Sequence, residues 1–431
     1  MSAEFGVMLA LLVAGALMRL PIGIALIASS IAYLWMRGLP LVAVTDTIMQ
    51  GFASNFVFLA IPLFIFAAQL MNVGTITDRL LGFAVAVAGR TKGGLAQVNV
   101  VTSLIFSGMS GSATADAAGV GTVLVRMMRK NDRYPAGFAG AVTAASSVIG
   151  PIFPPSIPMI YYAISADTSV GALFLGGILP ALLVTAAMMI LNNIIARRRG
   201  FPTEPAMSGA DVLTQFRVAA LPLLTPFILL GGIYSGIMTP TEAAAVAAAY
   251  AAIVSVYFRA LGIRGMFQAL EESARKAAVV VMIIAGAFMF SYVIAIERLP
   301  NTLVAWVADW EMSATAFLLL VNLMILVLGM IMPAVTILLV IIPVLAPATM
   351  AMGIDPVHFG VVIVINTMIG LITPPYGILV FVTAAVNNID AWHVIREIVP
   401  YICVLLVCLL LLSLFPEIVL YLPKAFGYVP L

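Results

Sequence analysis

The chain has 431 residues, of which 63% are hydrophobic and 9% charged, against roughly 25% charged in an ordinary soluble domain. That balance excludes a soluble globular domain, a disordered chain, a solenoid and a secreted disulfide scaffold, and it identifies a polytopic membrane protein in a lipid bilayer. A formal net charge of +2 gives no basic surface for nucleic acid.

The apolar blocks are mostly ~20 residues long and lack barrel-like alternation, so they read as helices. In chain order they fall at 5–36, 52–72, 94–128, 136–164, 170–196, 218–238, 240–258, 277–295, 313–350, 357–386 and 395–415. Phe5 to Leu17 reads as a first span and not as a removable signal, because further spans follow at once. Block 5–36 is interrupted by Arg19-Leu20-Pro21. Blocks 94–128 and 313–350 carry central clusters, Ser107-Gly108-Met109-Ser110-Gly111-Ser112 and Gly329-Met330-Ile331-Met332-Pro333. Two full crossings need ~40 residues plus a turn, so both blocks are predicted to be re-entrant hairpins of two half-length helices. Block 136–164 is broken at Ser146 to Ser156 by Pro151, Pro154 and Pro155, with Pro158 just beyond. Thr239-Pro240-Thr241-Glu242 reads as a capped helix start. Block 357–386 is broken at Asn366 to Gly377, around Pro374-Pro375. Trp35, Trp306, Trp310 and Trp392 lie near predicted span ends. Cys403 and Cys408 share the last apolar helix ~140° apart around it, so they neither pair nor bind metal.

A shift of 220 residues superposes Gly140 on Gly360, Gly150 on Gly370, Pro154-Pro155 on Pro374-Pro375, Pro180 on Pro400 and Asp116 on Thr336. A shift of 219 puts Pro21 on Pro240. The chain therefore reads as two halves of one design. Basic residues place three links on the cytoplasmic side: Arg126 to Arg133, Arg197 to Arg199, and Arg259 to Lys276. Residues 296–312 carry Glu297, Asp309 and Glu311 against Arg298 alone, and 345–357 carry no Lys or Arg. Five crossings separate the two regions, so the halves are expected to be inverted. The predicted fold is all-α and polytopic, with two inverted-topology repeats, each holding a re-entrant hairpin and a broken helix.

That layout belongs to secondary transporters. A helix broken in lipid leaves unpaired carbonyls and amides at several kcal/mol each, so the break must line a cavity or coordinate something. Freed carbonyls and hydroxyls suit Na⁺, and helix N-termini suit a carboxylate. The candidate substrate and ion residues are Ser107, Gly108, Ser110, Gly111, Ser112, Thr114 and Asp116 at the first tip, with Ser147, Gly150, Pro154, Pro155 and Ser156 at the first break. Gly329, Met332, Pro333 and Thr336 form the second tip, with Asn366, Gly370, Thr373, Pro374 and Pro375 at the second break. Na⁺ is assigned to Ser112, Thr114, Gly150, Gly329, Thr336, Gly370 and Thr373. Gly150 and Gly370 are expected to permit close backbone approach between tip and break. Asp116, the only acid between Asp78 and Asp132, reads either as a functional acid at membrane depth or as a hairpin cap. The breaks read either as sites or as proline kinks that shape packing. No enzyme pattern is present: the two histidines, His358 and His393, lie in separate loops, and there is neither a His-Glu-x-x-His motif nor a phosphate loop.

Four motifs in order carry a family resemblance over essentially the whole chain. They are Ser110-Gly111-Ser112-Ala113-Thr114-Ala115-Asp116, Gly150-Pro151-Ile152-Phe153-Pro154-Pro155-Ser156, Thr239-Pro240-Thr241-Glu242-Ala243-Ala244-Ala245 and Gly370-Leu371-Ile372-Thr373-Pro374-Pro375-Tyr376-Gly377. With them the sequence resembles the large (M) membrane subunit of tripartite ATP-independent periplasmic (TRAP) transporters. The resemblance implies Na⁺-driven import of a small organic acid, of C4-dicarboxylate or sialic acid type, across the bacterial inner membrane. It implies a periplasmic substrate-binding protein and a separate small (Q) membrane subunit as partners, and no organic cofactor. It also implies an elevator, with scaffold at 1–75 and 201–295 and a moving transport domain at 76–200 and 296–431, the C-terminal helix included. A stand-alone Na⁺/carboxylate symporter of related hairpin architecture, and a membrane enzyme or assembly factor, are the alternatives.

Overall fold

The structure, a computed structural model, describes residues 2–72, 74–205 and 207–430. Met1, Val73, Ala206 and Leu431, which fall within or at the ends of the expected domain segments, lie outside the described residues. All the regular elements described are helical. Helices α1 (Ala3–Leu17) and α2 (Ile22–Met36) pack together across the Arg19-Leu20-Pro21 interruption. α3 (Val42–Ser54) turns by 74° at Asn55 into α4 (Ala60–Met71), and α5 (Gly74–Ala88) follows. The first hairpin is α6 (Gly94–Ser110), then α7 (Ala113–Ala118) and α8 (Val120–Arg129); its returning arm is itself interrupted at Gly119. Then come α9 (Ala136–Ser146), α10 (Ile157–Ala166) and α11 (Val170–Arg199).

The second half repeats this order. α12 (Gly209–Tyr234) and α13 (Pro240–Tyr257) are followed by α14 (Ile263–Ile296) and α15 (Leu299–Asp309). The second hairpin is α16 (Ala314–Gly329), α17 (Ala334–Thr336), a π-turn over Ile337–Ile341, and α18 (Ile342–Ala351). α19 (Pro356–Gly370), α20 (Ile378–Val386), α21 (Ala391–Leu414) and α22 (Pro416–Ala425) complete the chain. The hairpin, broken helix and long following helix thus recur in the register that the sequence repeat sets. Both breaks hold a cis prolyl bond, at Pro154-Pro155 and Pro374-Pro375. Among the described residues six helices are long and apolar enough to span a bilayer, or seven if the bent pair is one span.

Local chemistry explains the boundaries. The Thr239 hydroxyl accepts from Glu242 N–H while the Glu242 carboxylate accepts from Thr239 N–H, a complete capping box. Ser112, Ser156, Ser169 and Ser313 cap α7, α10, α11 and α16 in the simpler one-sided way. One expectation is corrected here. The third basic link, Arg259 to Lys276, is not a loop: α14 begins at Ile263, so Arg264, Arg275 and Lys276 are helical. The reason is local. The stretch Met266 to Lys276 is rich in strong helix formers, and Glu271 pairs with Arg275 one turn on, at 3.1 Å.

Packing groups the helices into two sets that interleave in sequence, with α4, α5 and α12 of the first also packing on α6 of the first hairpin. α13 and α14 pack on α4, α14 on α2, and α12 on α13 and α5. α9 packs on α6, α8 and α21, and α19 on α16, α11 and α21. The two halves cross within the second set. α10, leaving the first break, packs on the second hairpin; α20, leaving the second break, packs on α7 of the first. Each hairpin is therefore held by both repeats.

Candidate functional site

The first tip is built by three short-range choices. α6 stops at Ser110 because Gly111 adopts φ +55°, the left-handed conformation that glycine enters without a Cβ penalty. Ser112 is extended and caps α7, its Oγ 3.2 Å from Thr114 Oγ1. A Cβ on Gly111 would sit 2.5 Å from the Pro155 carbonyl oxygen. The tip thus docks backbone to backbone on the first break. Gly150, expected to be the close contact, is not: its Cβ position is 3.7 Å from the Ser112 carbonyl, an ordinary separation. Ser156 closes the break, capping Met159 N–H and donating to the Pro151 carbonyl. Ser147 donates to Ala144 in its own helix at 2.8 Å.

The second tip meets its break in the same way, backbone against backbone. A Cβ on Gly370 would lie 2.7 Å from both Cα and C of Gly329. Pro333 starts α17 and Met332 is half-buried beside it. Asn366 donates to the Asn322 carbonyl at 2.8 Å and to its Oδ1 at 3.0 Å, and Asn322 donates to Ser413 Oγ at 2.9 Å. Thr373 donates to Ile369 at 2.7 Å. Pro375 is exposed and Pro374 half-buried.

Several buried oxygens at the two contacts lack a hydrogen-bond partner: Ser110 Oγ, both Asp116 carboxylate oxygens, Thr336 Oγ1 and Asn366 Oδ1. The Ser103 hydroxyl borders the Asp116 carboxylate but donates to Ser146 Oγ at 2.9 Å. Buried polar atoms are ordinarily satisfied, and an orphan costs about 1–3 kcal/mol. These orphans are all oxygens, the donor type of a hard cation such as Na⁺. Asp116 and Thr336 are the two residues that the 220-residue shift superposes, so the orphan recurs at equivalent positions of both hairpins.

Beside the first contact lies a cavity of about 500 Å³. One wall is the first tip, including Ser112 and Thr114, with Pro151 and Tyr161 from around the first break. The second contact reaches it through Ala334, Met368 and Leu371. The lining also includes Gln69 of α4, Asn72 at its C-terminal cap and Lys276 of α14. The structure therefore gathers the first tip and first break around one space, while Gly329, Thr336 and Asn366 are not among its lining residues. Gly108 and Ser107 lie away from the cavity lining: a Gly108 Cβ would be 3.0 Å from Pro226 of α12, and Ser107 donates to Leu104 of its own helix. Gln69, Asn72 and Lys276 were not singled out from the sequence as site residues. Their signal was polarity at the ends of two apolar blocks, where a span boundary is the ordinary reading.

Comparison with known proteins decides the family. The model for the tripartite ATP-independent periplasmic transporter, DctM component, matches residues 7–418. The chain belongs to this family. This TRAP large permease is 40% identical over 411 residues to the sialic acid TRAP transporter large permease protein SiaM of Vibrio cholerae, covering 95% of this chain and 96% of that one. It is 38% identical over 376 residues to the C4-dicarboxylate TRAP transporter large permease protein DctM of Pseudomonas aeruginosa, covering 87% and 88%. Among solved structures it resembles the Alcanivorax borkumensis YdaH transporter, with a TM-score of 0.63 at 18% identity over 87% of each chain. That likeness is one of fold. The protein is a multi-pass transporter subunit of the bacterial inner membrane and not an enzyme.

Proposed function

We propose that this TRAP large permease is the membrane-embedded core of a Na⁺-coupled importer that takes a small organic acid from a periplasmic binding protein. The observation that carries the reading is the pair of tip-to-break contacts, each backed by buried oxygens without partners. Unpartnered buried oxygens also occur elsewhere, at Ser30, Gln97, Thr102, Thr225 and Thr383, but Asp116 is the carboxylate among them, and a carboxylate without a partner is the costliest to keep at membrane depth. Ser112, Thr114, Asp116 and the Gly150 backbone would hold Na⁺ at the first contact; Gly329, Thr336, Gly370 and Thr373 would hold it at the second. Bound there, Na⁺ supplies positive charge that the orphan oxygens lack. The chain's own part is to hold two backbones in contact through Gly111 and Gly370, so that tip and break close as one body.

The relatives named for sialic acid and for C4-dicarboxylate support a carboxylate solute. The family's tripartite description supports a small Q subunit and a binding protein as partners. We further place the scaffold at 1–75 and 201–295 and the moving domain at 76–200 and 296–431, with the repeats in opposite orientation. The packing of α14 on α2 and α4 and of α13 on α4 supports the scaffold, while α5, which packs on both α12 and α6, lies between the two sets.

The test is uptake of N-acetylneuraminate and of succinate into proteoliposomes under an imposed Na⁺ gradient, with and without the small subunit and the binding protein. Uptake of one solute that needs the gradient and both partners is the expected result. In the same assay Ser112→Val and Thr336→Val should each raise the Na⁺ concentration for half-maximal uptake by about tenfold, the effect of losing one ligand worth ~1.4 kcal/mol. Uptake indifferent to Na⁺ would refute the coupling, and uptake without the binding protein would return the stand-alone symporter.

A further inference from the structure

The first cavity has one charged side chain among its described lining residues, Lys276. Its surroundings keep that charge available. On α14, Glu271 and Glu272 each stand one turn before a base, so two helical ion pairs are open to them. Only one forms. Glu271 pairs with Arg275 at 3.1 Å. Glu272 instead accepts from Gln69 Nε2, and the other end of that amide, Oε1, accepts from Lys276 Nζ at 2.9 Å. Gln69 of α4 thus stands between acid and base. No carboxylate lies within ion-pairing distance of the Lys276 ammonium among the described residues. Its partner is a neutral amide, and two of its three donors are left over.

A cavity of about 500 Å³ is the size of a small-molecule site. The same cavity is lined by Ser112 and Thr114 of the first tip, and Asp116, one turn into the same hairpin, is buried outside the lining. We infer that Lys276 is the residue that receives the carboxylate of the transported solute, gripping it from α14 while the first hairpin tip holds its polar body. The inference rests on the transport reading above and assigns the charge partner within it. The consequence is mechanical. α14 packs mainly with α2, α4 and α3, and touches the second hairpin at its π-turn. A solute carried with the hairpins away from α14 leaves Lys276 behind. The lysine then strengthens binding in this conformation only, which is what a differential affinity between two states requires.

Gln69 has a matching role as the spacer that keeps Glu272 from neutralising the lysine. This separates an anion-binding Lys276 from a merely structural one. Gln69→Glu gives Lys276 a stronger partner within the protein and would preserve a structural contact, yet it cancels the charge offered to the cavity.

The experiment measures uptake of N-acetylneuraminate and of succinate by the complete complex in proteoliposomes for wild type, Lys276→Gln, Lys276→Arg and Gln69→Glu. For the solute that wild type takes up, KM should rise about tenfold or more in Lys276→Gln and Gln69→Glu, the scale of a lost charge-assisted hydrogen bond. It should stay within about threefold in Lys276→Arg, which keeps the charge. The methyl ester of that solute should compete poorly in wild type, and in Lys276→Gln about as well as the free acid. A KM within about twofold of wild type in Lys276→Gln or Gln69→Glu, or an Arg variant as impaired as the Gln variant, overturns the assignment while leaving the transport reading standing. Wild-type uptake of neither solute overturns the transport reading itself, and the assignment with it.

Discussion

Adding one methyl group at Gly370 tests whether tip and break must touch. The Cβ of Gly370→Ala would lie 2.7 Å from Cα and C of Gly329, where ordinary contact begins at 3.4 Å. Both neighbours are backbone, so no side chain can swing aside; α16 and α19 must separate by 0.7 Å, the difference between those distances. Overpacking of this kind costs about 1–3 kcal/mol. If the contact forms the ion site, that cost weakens apparent Na⁺ affinity roughly 5- to 150-fold. Gly111→Ala should be at least as severe, because its Cβ meets the Pro155 oxygen at 2.5 Å and its φ of +55° adds a left-handed penalty of about 1 kcal/mol. Gly150→Ala is the control. Its Cβ is 3.2 Å from the Ser147 carbonyl of its own turn and 3.7 Å from Ser112, so the half-saturating Na⁺ concentration should move less than about threefold. The assay is uptake against Na⁺ concentration on reconstituted variants of equal yield, with thermal unfolding measured alongside. The reasoning is refuted if Gly370→Ala keeps wild-type Na⁺ dependence, or if Gly150→Ala is as damaging.

Two further outcomes are expected. Single cysteines near Arg198 should be shielded from an impermeant thiol reagent added outside intact cells, while one near Asp309 is labelled; labelling of both from one side removes the inverted repeat. Glu297 joins three segments: its carboxylate accepts from Ser2 N–H at 3.0 Å, from Tyr33 at 2.7 Å and from Arg37 at 3.1 Å. The Ser2 hydroxyl and these other donors hold its carboxyl down at about 2, against an ordinary 4.5. A depressed carboxylate adds stability that is present above the ordinary value and is lost as pH falls from 4.5 toward 2. Glu297→Gln should therefore lower the unfolding temperature at pH 7, and the gap from wild type should narrow steadily between pH 5 and pH 3. A gap of constant size would mean that packing, and not charge, holds the junction.

What the sequence made legible followed from covalent constraint. Proline and glycine act through one residue's backbone, so Pro154-Pro155, Pro374-Pro375, Gly111 and the Thr239 capping box could be read locally, and the repeat could be read from their spacing. What it hid depended on neighbours far along the chain. Nothing in the run Ile149 to Phe153 says that Gly150 stands at ordinary distance from the tip while Gly111 is pressed against the break. Gly108 looks like a tip residue by composition, yet Pro226, more than a hundred positions away, is what it touches. Lys276 carried a real signal, a cation beside an apolar block, but charge bias at span ends is so general that it marked only topology. The helical extension of α14 turned that residue from a link marker into a cavity wall.

The two contacts are alike in backbone and unlike in charge, and that difference bears on how an anion and a cation could share one carrier. The 220-residue correspondence sets Asp116 behind the first tip and Thr336 behind the second. Both are buried and both lack partners, but only one has a carboxylate. A carboxylate without a counter-charge is far costlier at membrane depth than a hydroxyl, so the first contact has the greater need for a cation. The cavity adjoins that same contact, and its charged wall is positive. On the proposed reading, a cation at Asp116 and an anion in the cavity would both lie beside the first tip, each lowering the electrostatic cost of the other. The second contact, with no charge of its own, brings Gly370 and Gly329 together backbone to backbone and reaches the cavity through the apolar Ala334, Met368 and Leu371. On the proposed reading, coupling between ion and solute would fall on the first tip, the element that both proposed sites share.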